Sequence, residues 1–116
     1  MKVSINHLRV FWFGEDRHLV VLGQHLEGAK TFRSVKKMEM DTEKLRSLLE
    51  MFEQGIEDAQ ESIQFQNDQG ETLVVSQIYA ENIRTDIIAY LGELKMGALQ
   101  RYKGDPSAGI PDFSQN

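Results

Sequence analysis

The chain has 116 residues, a formal net charge of −5 at pH 7, 41% hydrophobic and 27% charged residues, and no cysteine. This composition is typical of one globular domain, and it excludes a disordered polyelectrolyte, a disulfide framework and any site that uses a cysteine thiolate. No apolar run approaches the roughly 18 residues of a membrane-spanning helix, so we expect a cytoplasmic protein that has no membrane partner.

The first third of the chain has the pattern of β-strands. Val3 and Ile5 alternate with polar residues, an apolar run continues to Phe13, and the turn residues GEDR precede a second run, HLVVLGQHL. Turn residues between two such runs predict a β-hairpin. The segment KTFRSVKKMEM then predicts a third, more polar strand, with Phe32 and Val35 facing inward.

Two helices and a second hairpin are predicted in the rest of the chain. A suitable cap at Asp41 and apolar residues at helical spacing predict a helix over residues 42–59. The segment SIQFQNDQGETLVVSQI, with the turn NDQG inside it, predicts the second hairpin. A second apolar stripe predicts a helix over residues 80–102, which a following glycine and proline would end.

These elements predict an α+β fold with the order β-β-β-α-β-β-α. We expect one antiparallel sheet of about five strands, with both helices packed on one face. Residues 1–103 would form this single domain. Residues 104–116 contain both prolines of the chain and no periodicity, so we expect a loose C-terminal tail there.

Three consecutive aromatic residues lie in the first predicted hairpin. Successive side chains of a strand point to opposite faces of its sheet, so both faces receive large apolar groups here. Two helices account for one face, and the other would leave more apolar surface exposed than monomeric proteins usually do. Either the C-terminal tail or a second copy would cover it. Of the two we expect the second copy, in a homodimer whose interface contains Phe11, Trp12 and Phe13.

The strongest anomaly of charge is acidic. Between Ser47 and Ile83 the chain has eight carboxylates and no lysine or arginine. Several crowd the C-terminal end of the first predicted helix, where the helix dipole disfavours negative charge. We therefore expect a small non-enzymatic interaction protein, of the adaptor, inhibitor or immunity type, that binds a macromolecular partner of basic character. We assign the binding surface to Glu50, Glu53, Glu57, Asp58 and Glu61.

A basic cluster in the third predicted strand supports an alternative function. Cations interleaved with an aromatic ring can hold single-stranded nucleic acid, by neutralising phosphates and stacking on bases. Against this, the negative net charge repels a polyanion, and lysines on an edge strand also protect it from aggregation. Nucleic acid is therefore the less favoured partner. The residues of this alternative interface are Lys30, Phe32, Arg33, Lys36 and Lys37.

The sequence contains no motif that predicts catalysis. His7, His18 and His25 all lie in the first hairpin, but their spacing matches no zinc site, and the seven-residue separation of His18 and His25 places them on opposite faces of a strand. We interpret all three as surface or strand-end histidines. Phosphate-loop, nucleophile-elbow and His-Glu-x-x-His motifs are absent. We therefore predict no catalytic residue, metal or cofactor; a small enzyme with a site assembled only in space is a further alternative.

Overall fold

The computed structural model describes residues 2–25, 32–66 and 70–103. The predicted C-terminal tail, residues 104–116, lies outside these ranges. The described residues form six strands and two helices. The strands are β1 (Lys2–Ile5), β2 (His7–Gly14), β3 (Arg17–His25), β4 (Phe32–Met40), β5 (Ser62–Gln66) and β6 (Thr72–Ser76), and the helices are α1 (Thr42–Glu57) and α2 (Gln77–Met96).

The strands form two sheets of three strands each, so the α+β class is confirmed and the prediction of one five-stranded sheet was wrong. Strands β2, β3 and β4 form an antiparallel sheet in that order. In the other sheet β6 lies in the middle, antiparallel to β5 and parallel to β1. The parallel pairing arises because β1 does not continue the β2-β3 hairpin and instead pairs with β6, which lies far from it in the sequence.

Asn6 explains why the first apolar segment divides between the two sheets. Its backbone N–H donates to the Gly23 carbonyl over 3.1 Å. Its side-chain amide donates to the His25 carbonyl and accepts from the His25 N–H, at 3.0 and 2.8 Å. These bonds occupy backbone groups of β3 that a longer β2 would need. The chain therefore changes direction at Asn6, and β1 pairs elsewhere.

Helix α1 begins where the sequence predicts, because Asp41 caps it. The Asp41 carboxylate accepts from the Lys44 N–H over 2.8 Å, which satisfies one of the free donors of the first turn. The helix ends at Glu57, earlier than the predicted residue 59, and Ala59 has a left-handed backbone with φ 53°.

Helix α2 begins and ends earlier than the predicted range of 80–102. It starts at Gln77, directly after β6, and stops at Met96 because Gly97 adopts φ 71° as the C-cap. Glycine takes this left-handed conformation without steric cost, and it ends helices for that reason. Neither helix in the described ranges combines the length and the apolar content that a membrane span requires.

Both helices and one face of each sheet enclose the main core. We call the side of the β2-β3-β4 sheet that faces this core its inner face, and the opposite side its outer face. The buried members of the core are Ile5, Leu8, Val20, Leu22, Leu45, Phe52, Ile63, Leu73, Val75, Ala80, Ile83, Ile87 and Tyr90.

The aromatic run of β2 divides between the two faces of its sheet. Trp12 packs against the main core, whereas Phe11 and Phe13 belong to a second cluster on the outer face. Tyr102, beyond the end of α2, lies over this cluster, with its ring centroid 5.0 Å from that of Phe11 and 5.2 Å from that of Phe13. Its N–H donates to the Trp12 carbonyl over 2.7 Å. The chain itself thus covers part of the second apolar face, and the three residues predicted for a dimer interface do not share one surface.

Candidate functional site

The five predicted acidic residues are all exposed, in α1 and just after it. Within α1 they lie on the side away from Leu45 and Phe52, which are fully buried. This arrangement leaves every one of the five carboxylates accessible to a partner. We call the five together the acidic face: Glu50, Glu53, Glu57, Asp58 and Glu61.

None of the five carboxylates of the acidic face forms an ion pair with a lysine or arginine in residues 2–25, 32–66 and 70–103. The last turn of α1 has no basic residue, although the partial negative charge of a helix C-terminus favours a cation. Gln54 donates a hydrogen bond to Asp58 over 2.9 Å. The carboxylates therefore repel one another and the helix dipole, at a cost to the stability of α1.

The residues of the predicted nucleic-acid interface divide between the two faces of their sheet. Lys37 pairs with Val21 of the outer face, and Phe32 belongs to the outer cluster. Lys36 pairs with Leu22 of the inner face, and a bulge separates it from Arg33, which pairs with Gln24. Lys30 lies outside the described residues. The described members of the cluster thus form no single cationic surface.

Two of the three histidines meet on the outer face. The ring centroids of His7 and His25 are 4.8 Å apart, and the Phe32 ring lies 5.4 Å from His7 and 5.7 Å from His25. Burial, followed by the nearby charges of Arg9 and His25, lowers the pKa of His7 below its ordinary value, while Asp86 opposes this shift. Among the described residues no three His, Asp or Glu side chains are placed to hold one metal ion.

The third histidine, His18, is completely buried on the inner face, and its interpretation as a surface residue was wrong. Its Nδ1 lies 2.7 Å from the Tyr90 hydroxyl in α2, and its Nε2 lies 2.9 Å from the Thr42 hydroxyl at the start of α1. The Thr42 backbone N–H donates to the Asp16 carboxylate over 2.8 Å. The Thr42 hydroxyl also contacts this carboxylate. We call Asp16, His18, Thr42 and Tyr90 the buried polar chain.

One placement of protons satisfies the whole buried polar chain. An ionised Asp16 only accepts, so the Thr42 hydroxyl must donate to it. The oxygen of that hydroxyl then accepts from the Nε2–H of His18, and Nδ1 accepts from Tyr90. Burial raises the pKa of Tyr90, which keeps its hydroxyl available as a donor. The chain thus ties the turn between β2 and β3 to both helices. Because His18 is enclosed, its ring cannot reach a substrate, and we regard the arrangement as structural.

The pH dependence of folding tests the Asp16 end of this chain. Donation from the Thr42 hydroxyl, and then from its backbone N–H, lowers the pKa of Asp16 below its ordinary value of 3.8. A lowered pKa in the folded state stabilises the fold above the unfolded value, and this contribution disappears as the pH falls through the folded value. We therefore expect Asp16→Asn to be less stable than wild type near neutral pH, with the difference shrinking below about pH 4. Urea unfolding of both proteins near neutral pH and below about pH 4 measures this difference in the free energy of unfolding.

Glu15→Gln is the matched control, since Glu15 is the neighbouring exposed carboxylate and only its backbone carbonyl accepts a described hydrogen bond, from Trp12. This variant is expected to follow wild type at both pH values. An Asp16→Asn variant whose deficit is equally large at about pH 2 and pH 7 would show that the carboxylate does not stabilise the fold through its charge.

Comparison with known proteins finds no matching family model, no matching curated protein and no matching solved structure.

Proposed function

We propose that this protein is a small non-enzymatic interaction protein, cytoplasmic and of the adaptor, inhibitor or immunity type, that binds a basic macromolecular partner through its acidic face. The observation that carries the proposal is the exposure of five carboxylates, none of which forms an ion pair with a described residue. Such a surface attracts a basic partner and orients it as it approaches.

The acidic face lowers the stability of α1, and this cost supports a role in binding. Charges that helped α1 to fold would lie near its N-terminus or opposite lysines and arginines. Glu57 and Asp58 instead lie at its C-terminal end, where no basic residue accompanies them. The acidic face therefore costs α1 stability, and a binding function would account for that cost.

Two alternatives have less support. Single-stranded nucleic acid would need cations and a ring on one surface, whereas Arg33 and Lys36 lie on the face of their sheet opposite to Phe32 and Lys37. A catalytic role for His18 would need access to a substrate, and this residue has 0% exposure.

Neutralising the acidic face should abolish binding and leave the fold intact. We expect the variant Glu50→Gln/Glu57→Gln/Glu61→Gln to melt at the wild-type temperature or above it. Removing the like-charge repulsion and the conflict with the helix dipole should raise the free energy of unfolding by about 0.3 to 0.5 kcal/mol. The same variant should no longer capture the partner that wild type binds in a native cell extract and releases as salt rises. Thermal unfolding and salt-eluted pull-down measure the two effects.

The control removes as many carboxylates from other exposed positions, as Glu15→Gln/Asp86→Asn/Glu93→Gln. It has the same net charge as the first variant, so it should retain the partner if the position of the charge matters. If both variants lost the partner equally, the binding would depend on net charge in general and not on the acidic face. A markedly lower melting temperature of the first variant would mean that the carboxylates support the fold, and the proposal would then lose its basis.

A further inference from the structure

A cleft lies beside the main core, between β1 of one sheet and strands β3 and β4 of the other. It has a volume of about 530 Å³, and this value lies within the range of roughly 300 to 1,000 Å³ that is typical of small-molecule sites. Residues of all three strands line it, together with Glu71, which directly precedes β6. We call this space the inter-sheet cleft.

The inter-sheet cleft lies where the inner face of β3 becomes polar. Val20 and Leu22 are fully buried in the main core, and Gln24 follows them on the same side of the strand. The Gln24 side-chain amide donates to the Ser4 carbonyl of β1. At this end the two sheets are therefore joined by a hydrogen bond, and the space beside that bond is left open.

The lining of the inter-sheet cleft combines two cations with apolar surface. Lys2 of β1 and Arg33 of β4 are exposed and line the cleft from different sheets. Within the part of the chain that the structure describes, neither of them forms an ion pair. Val3 and Val35 also line the cleft and are partly buried against the main core. An ammonium and a guanidinium can both donate to one anionic group, and the valines can contact an apolar part of the same molecule.

Glu71 limits the charge of a ligand that the cleft could hold. It adds one carboxylate to the lining, so the described side chains contribute one net positive charge. A ligand with a single carboxylate would balance this charge. A phosphate monoester carries a charge of about −1.5 to −2 at neutral pH, and Glu71 would repel it more strongly.

We propose that the inter-sheet cleft binds a small organic carboxylate, whose anionic group contacts Lys2 and Arg33 and whose apolar part lies against Val3 and Val35. The planar guanidinium of Arg33 can pair with both oxygens of a carboxylate, whereas the ammonium of Lys2 acts as a point charge. Arg33 therefore provides most of the specificity. The cleft is separate from the acidic face, which lies in α1 and just after it, so either proposal can fail without the other.

Titration with sodium benzoate tests the proposal, since benzoate combines one carboxylate with an apolar ring. We expect the backbone amide NMR signals of Val3, Gln24 and Val35 to shift and saturate, with a Kd of about 10 mM or tighter. Sodium chloride at the same concentration should not shift them. Benzyl alcohol, which has the ring without the charge, should bind at least about tenfold more weakly. Absence of a saturating shift with benzoate, or equal binding of the alcohol, would overturn the proposal.

Substitutions of the two cations test their assignment. Lys2→Gln/Arg33→Gln changes exposed positions, so the fold should persist while the benzoate affinity falls at least about tenfold. Arg33→Lys keeps the charge and loses the planar group, so its affinity should be intermediate. The control Lys44→Gln/Lys95→Gln removes the same charge from exposed positions of the two helices and should bind as wild type does. Unchanged affinity of the first variant, or equal losses in that variant and the control, would contradict a site at Lys2 and Arg33.

Discussion

Replacing His18 with alanine is expected to lower the free energy of unfolding by about 3 to 5 kcal/mol, which is one of the two largest effects that we expect for this chain. Two losses contribute. The imidazole is completely buried, so its removal leaves a cavity in the main core. Its removal also takes away the acceptor of the Tyr90 hydroxyl and the donor to Thr42, and buried polar groups without partners are costly.

Variants with smaller changes separate these two losses. His18→Phe keeps most of the volume and removes the polar atoms, so about 1 to 3 kcal/mol should be lost if the hydrogen bonds matter. Tyr90→Phe removes one hydroxyl and should cost about 1 kcal/mol. In the double variant both ends of the Tyr90 bond are gone, so its cost should be less than the sum of the two single costs.

Urea unfolding of these variants, followed by circular dichroism, measures each value. Thr42→Ser keeps the hydroxyl and is the control for the middle of the buried polar chain; it should remain close to wild type. A His18→Ala variant within about 0.5 kcal/mol of wild type would show that the buried polar chain does not hold the helices to the hairpin.

The position of His18 also shows what the sequence could reveal. His18 lies two and four residues before Val20 and Leu22, so it shares a face of β3 with two core residues. This alternation could have predicted from the sequence that His18 is buried. The partners, however, come from helices that begin far along the chain, at Thr42 and Gln77. No local pattern encodes that meeting, because it depends on how both helices pack.

Local signals predicted the elements well and their assembly poorly. The cap at Asp41 and the apolar stripe behind it are sufficient to begin α1 at the predicted residue. The division into two sheets depends on Asn6, whose hydrogen bonds reach residues about twenty positions away. Several glycines could have ended α2; Gly97 is the one that adopts the left-handed C-cap conformation, and the segment that follows it docks on β2 through Tyr102.

Gly23 provides the second large expected effect. It lies in β3, and a β-carbon built there would be 2.5 Å from Cζ of the Phe32 ring and would also overlap the Arg33 carbonyl oxygen. The absence of a side chain at Gly23 thus lets the Phe32 ring lie across the strand, beside His7 and His25 on the outer face. Backbone cannot move aside as a flexible side chain can, so Gly23→Ala should destabilise the fold by about 3 kcal/mol or more.

A second change distinguishes the two obstacles at Gly23. Adding Phe32→Ala removes the ring but leaves the Arg33 carbonyl, so the double variant should remain well below the stability of Phe32→Ala alone. Gly92→Ala is the matched control, since its added methyl group meets no atom within 4 Å, and it should gain about 1 kcal/mol from the helical preference of alanine. The variants are compared by urea unfolding at protein concentrations where sedimentation shows the same assembly state. A Gly23→Ala variant as stable as wild type would contradict the prediction. It would mean that β4 can move away from β3 at this point and make room for the methyl group without weakening the pairing of the two strands.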